Sequence, residues 1–156
     1  MIRPSHILCP TDLSPHSEEV VSAAVQLAQQ FQAKLTLLTV VEDTFPYTEV
    51  YRALTEAGIK DPISGVREQV RQDLDVLADR HRDPTVAMET VVEVGNPAKV
   101  ILATAKDLSV DVIVMGSIGR SALDLALIGS VVEKVTRKAP CHVLIVKPPE
   151  SGASEA

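Results

Sequence analysis

The chain has 156 residues, 46% of them hydrophobic, enough for one domain that buries about 70% of its unfolded-chain surface without disulfide or metal support. Lys and Arg number 15 and Asp and Glu 21, so the net charge is 15 − 21 = −6, which opposes non-specific binding to nucleic acid or an anionic membrane and leaves any anionic ligand to local donors. No apolar run approaches bilayer-spanning length, the N-terminus lacks the apolar region of a signal peptide, and Cys9 and Cys141 form no C-x-x-C pair, so a reduced, cytoplasmic protein with two unpaired thiols is expected.

Ser5 to Pro10 is a short apolar run that reads as a first strand ending at Pro10-Thr11-Asp12. Ser14-Pro15 has the grammar of an N-cap followed by a first-turn proline, and Val20, Val21, Ala24, Leu27, Ala28 and Phe31 recur at helical spacing, which predicts a helix ending at Phe31. Lys34 to Val41, rich in leucine and β-branched residues, reads as a second strand covered on both faces. Asp43 to Pro62 is irregular, with Pro46, Gly58 and a short helix over Thr48 to Ala57; it reads as a packed connecting loop, with a flap over a ligand as the alternative.

A helix follows from about Ile63 to His81, with Val66, Val70, Leu74 and Leu77 on its inner face. Val86 to Val94 is a third strand, after which Gly95-Asn96-Pro97 opens a helix over Pro97 to Leu108. Asp111 to Met115 is a fourth strand, Ser130 to Lys138 a last helix, and Cys141 to Val146 a fifth strand. Residues 148–156 are small and polar, which leaves a domain over 1–147 and an expected disordered tail.

Strands alternating with helices imply an α/β fold, a single doubly wound, five-stranded parallel sheet with helices on both faces. In the common plan with order 3-2-1-4-5, ligands sit beyond the carboxyl ends of strands one and four, where the order reverses. Asp12 and Gly116 end those two strands and would face one another across the crevice.

At Gly116 the apolar run Val112 to Met115 stops, and the spacing G-x2-G-x9-G-S follows through Gly119, Gly129 and Ser130. Glycines at a strand end let a ligand reach main-chain N–H groups, and Gly129-Ser130 stands where a helix begins and its unpaired N–H groups favour phosphate. Ser130 with Glu133 also fits a capping box, Asp12 also fits a turn-fixing role, and Arg120 reads as solvated, with a phosphate contact as the alternative. His6, His16, His81 and His142 show no metal-ligand spacing, and no P-loop lysine, G-x-G-x-x-G or catalytic triad can be read.

With ILCPTDLS at Ile7 to Ser14, LLTVVE at Leu37 to Glu42, GNP at Gly95 to Pro97 and the glycine pattern, the chain resembles the universal stress protein family, in its ATP-binding branch. That resemblance implies a Rossmann-like fold of the adenine-nucleotide alpha-hydrolase type. It puts Asp12 and the main chain of Val40 near the adenosine, with Pro10 shaping that wall. Gly116, Gly119, Gly129 and Ser130 would hold the phosphates, joined by main-chain groups of Met115, Val131 and Val132, with Mg²⁺ or Mn²⁺ riding on them. ATP, ADP or AMP is the implied ligand and a stress-response or signalling module the implied function. A homodimer pairing along His142 to Val146 is the implied assembly, with no nucleic acid or membrane partner. The alternatives are slow ATP hydrolysis or autophosphorylation, with Ser117, Ser121 and Ser130 as acceptors, and an interaction protein whose glycines are structural.

Overall fold

Short apolar runs and amphipathic helices alternate along the chain, and a computed structural model describes residues 2–118 and 128–149. The elements are β1 (His6–Pro10), α1 (Ser17–Phe31), β2 (Lys34–Glu42), α2 (Glu49–Glu56), α3 (Pro62–His81), β3 (Met88–Gly95), α4 (Pro97–Asp107), β4 (Val112–Gly116), α5 (Ser130–Lys138) and β5 (His142–Val146). All four strand pairings are parallel and the order is β3-β2-β1-β4-β5, the topology expected from the sequence. The chain steps outward from β1 through β2 to β3, then crosses back to β4 and continues to β5. Between β1 and β4 the connections leave for opposite faces, which opens a crevice at the carboxyl edge.

Two apolar clusters flank the sheet. Ile7, Cys9, Leu35, Leu37 and Val114 pack against α1 and α3, with Val21, Ala24, Leu74 and Ala78 among the buried helix residues. Leu8, Leu38, Ile113 and Met115 pack the other face against α4 and α5, through Ile101, Ala105, Val132 and Val135. Alternate residues of β1, β2 and β4 thus serve opposite cores, which is why these strands read as unbroken apolar runs.

Several boundaries and faces differ from the sequence reading. Helix α1 begins at Ser17 rather than at Ser14-Pro15, because Ser14 is drawn into the preceding turn: its N–H donates to Asp12 Oδ1 at 2.9 Å and its carbonyl accepts from Ser17 N–H at 2.9 Å. Phe31, the last of the helically spaced apolar residues, is 40% exposed at the helix end. Strand β3 begins at Met88, two residues later than expected, because Val86 N–H closes a turn onto Asp83. Helix α2 forms where expected, capped by Thr48, yet contains no buried residue, so the packed-loop expectation is not met there. The expected tail lies mostly outside the described residues.

Candidate functional site

The turn after β1 is built by side chains. Thr11 N–H donates to Leu38 O at 2.8 Å, continuing the β1–β2 ladder one residue past the strand. Thr11 Oγ1 accepts from Leu13 N–H at 3.1 Å and donates to Ser17 Oγ at 2.7 Å, while Asp12 Oδ1 accepts from Ser14 N–H and, at 3.4 Å, from Ser17 Oγ. Held between them, Leu13 adopts φ 61°, a left-handed conformation that costs a leucine about 1–2 kcal/mol. Strain of this kind persists where surrounding bonds over-determine the backbone. Asp12 therefore does fix the turn, and it also lines the crevice.

Across the crevice, β4 ends at Gly116. The next residue, buried Ser117, donates its N–H to Val146 O at 3.1 Å and accepts from Gly129 N–H at 2.9 Å, which ties the end of β5 to the start of α5. Gly129 is the N-cap and provides no side-chain acceptor, so the first N–H groups of α5 keep their capacity for an external acceptor. The capping-box alternative for Ser130 is not realised: Ser130 is the first helical residue, and Glu133, one position too late, pairs with Arg137.

His16 closes the floor between these halves. Its Nδ1 meets Glu19 Oε2 at 3.1 Å and its Nε2 meets Val146 O at 3.2 Å. The ring occupies the space above Gly116, where a Cβ would come within 3.1 Å of His16 Cδ2 and 3.3 Å of Val20 Cγ2. Close approach of these two side chains thus favours glycine at 116.

These walls enclose a cleft of about 790 Å³. Pro10, Asp12, Val40, Met115, Gly116, Gly129, Ser130, Val131 and Val132 all line it. The structure therefore brings together the nucleotide-binding candidates that it describes, whereas Ser117, an acceptor candidate, is buried and does not line the cleft; Gly119, with Arg120 and Ser121, lies outside the described residues. Among the described lining residues Asp12 and Glu42 are the carboxylates, and there is no Lys or Arg. A polar recess of about 210 Å³ adjoins it, bordered by Glu42, Asp43, Asn96, Ser130 and Lys134.

Sequence reasoning missed His16, Thr39, Glu42, Val66 and Val70 as cleft residues. Period-two alternation along β2 was the available signal for Thr39, which shares the face of Leu37 and Val41. Its hydroxyl is buried without a hydrogen-bond partner, a condition that costs about 1–3 kcal/mol. The thiols are not reactive candidates: both are free, Cys9 is fully buried, and burial pushes its thiol up to about 12. Among the described residues no group of three or more His, Cys, Asp or Glu could hold a metal ion, and no helix is long and apolar enough to cross a membrane.

The chain resembles known proteins along most of its length. A universal stress protein of Methanothermobacter thermautotrophicus is 32% identical over 147 residues, covering 90% of this chain and 94% of the relative. The structure of universal stress protein UspA from Lactobacillus plantarum superposes with a TM-score of 0.71 at 28% identity, covering 92% of this chain and 98% of that one. A universal stress protein in complex with cAMP shares the fold at a TM-score of 0.59 and 24% identity, covering 92% of this chain and 97% of that one. The universal stress protein family model matches residues 4–147, and the chain belongs to that family.

Proposed function

We propose that the cleft binds an adenine nucleotide, and that the protein is a nucleotide-holding stress-response or signalling module. The observation that carries this reading is the pairing, across one crevice, of a strand-end glycine closely packed under His16 and Val20 with a helix N-terminus that no side chain caps. Backbone N–H groups at Ser130, Val131 and Val132 suit phosphate oxygens by geometry and by the helix dipole, and Gly129 keeps their approach clear. Asp12 and the main chain of Val40 border the opposite end, where the ribose and base would lie. With no Lys or Arg among the described lining residues, a divalent ion, Mg²⁺ or Mn²⁺, would balance the charge of ADP or ATP while riding on the phosphates. The sequence contains no P-loop lysine, so the site suits holding a nucleotide better than rapid hydrolysis.

Calorimetry on nucleotide-free protein tests the proposal, with ATP, ADP and AMP titrated in the presence and absence of Mg²⁺. A protein of this fold was solved with cAMP, so cAMP belongs in the series. Gly116→Val and Gly129→Val are each expected to weaken binding at least tenfold, about 1.4 kcal/mol. Gly129 has φ −64° and ψ 155°, a conformation valine adopts readily, so that variant tests ligand access independently of folding. No measurable affinity for any of these nucleotides, or unchanged affinity in both variants, would sink the proposal.

A further inference from the structure

The helix whose first amides face the phosphate end of the cleft does not fix its own start. Helices α2, α3 and α4 are secured there by their caps, Thr48, Asp61 and Asn96, whose side chains accept main-chain N–H groups. Gly129, the cap of α5, makes no such bond. Its own N–H is given to Ser117 O at 2.9 Å, so the placement of α5 depends on what holds Ser117. Ser117 N–H donates to Val146 O at 3.1 Å, and the same carbonyl meets His16 Nε2 at 3.2 Å. A carbonyl oxygen can only accept, so Nε2 is the donor and Val146 O gathers two donors on its two lone pairs. His16 is anchored in turn. Its carbonyl accepts from Glu19 and Val20 N–H at 3.2 and 3.3 Å in the first turn of α1, its Nδ1 meets Glu19 Oε2 at 3.1 Å, and its side chain is 12% exposed.

From this chain of bonds we infer that His16 is the positioning residue of the phosphate end: through Val146 and Ser117 it aims the first N–H groups of α5. Its effect on ligand affinity rests on the nucleotide reading proposed above. Hydrogen bonds weaken steeply as the donor turns away from its acceptor, so a small rotation at the start of α5 costs phosphate affinity. Binding groups act well only when a supporting set of bonds locks their direction, and at α5 that support comes from α1 and the end of β5 rather than from the cap. The opposite end of the cleft is bordered by Asp12, held in its turn by Ser14 N–H and Ser17 Oγ, and by Val40 of β2. His16 therefore sets how much the phosphate adds to binding, and leaves the nucleoside part unaltered.

His16→Gln and His16→Met test this in the full chain, because the two side chains are similar in length and only glutamine can donate to Val146 O. In nucleotide-free protein, His16→Met is expected to speed amide hydrogen exchange at Ser117 and Gly129 at least tenfold, with the amides of β1 unchanged. By calorimetry it is expected to weaken AMP at least tenfold and adenosine less than twofold. His16→Gln should stay within about threefold of the wild type in each measurement. His16→Ala, which also lacks the donor, carries the test if His16→Met does not fold. Unchanged exchange at Ser117 and Gly129, unchanged AMP affinity, equal weakening of AMP and adenosine, or no difference between the glutamine and methionine variants would overturn the inference. A wild-type chain that binds neither AMP nor adenosine ends the nucleotide reading and, with it, the effect on phosphate; exchange at Ser117 and Gly129 still decides whether His16 holds the start of α5.

Discussion

Asp111 shows how one residue can brace the sheet at the end opposite the cleft. Its Oδ2 accepts from Ser5 N–H at 2.7 Å, Ser5 Oγ at 2.8 Å and His6 N–H at 3.0 Å, so the start of β4 is laced to the start of β1. Hydrogen bonds from Ser5, backbone first, hold this carboxyl below the usual carboxylate range. A carboxyl with a lowered folded-state value contributes stability that is present above its unfolded value and lost as pH falls through the folded one. Asp111→Asn is therefore expected to destabilise the protein by about 1–2 kcal/mol at pH 7, with the difference shrinking steadily as urea unfolding is repeated toward pH 2. An equal loss at both ends of that range would mean that the carboxylate charge plays no part. At this scale the sequence was legible where a residue's role is local, as for Asp12 in its turn. It was opaque where the role depends on a distant partner, as for His16 against Val146 or Asp111 against Ser5.

Elements were more legible than their ends. Asn96 caps α4 by accepting from Lys99 N–H at 3.1 Å, with Pro97 at the first helical position, as the Gly95-Asn96-Pro97 grammar implied. Asp61-Pro62 opens α3 by the same device, with Ser64 N–H donating to Asp61 Oδ1 at 3.2 Å. Asn96→Ala is expected to lower stability by about 1 kcal/mol, read as a shift in the urea midpoint at constant slope; Asn96→Gly should cost only a few tenths. Ser14-Pro15 carries the same letters but does not start a helix, because Thr11 and Asp12 claim the neighbouring N–H groups first. Pattern alone could not rank those competing acceptors. Nor could the apolar spacing of α3 reveal that Val66 and Val70 face a cleft while Leu74 and Leu77 face a core, since all four obey one helical period.

For the whole molecule, the parallel sheet followed from alternation and connection rules, because doubly apolar strands separated by helices admit few topologies, whereas the strand order and the crevice rest on the common doubly wound plan. What those rules leave open is the edge. β5 is a terminal strand with Leu144 43% exposed, and we propose it as the pairing edge of a homodimer. Leu144→Lys should convert a dimer to a monomer in sedimentation velocity with its circular dichroism unchanged; a wild-type chain that already sediments as a monomer at micromolar concentration contradicts the proposed pairing.

The packing of His16 over Gly116 also has a meaning for how this sequence can vary. Two positions 100 residues apart divide one fixed volume, since a methyl group at 116 would press on the imidazole at 3.1 Å. Neither can grow unless the other shrinks. Gly116→Ala is expected to destabilise by about 1 kcal/mol in the presence of His16 and by less in a His16→Ala background. The resulting coupling of about 0.5–1 kcal/mol, measured by a double-mutant cycle, would mark 16 and 116 as a pair that must change together.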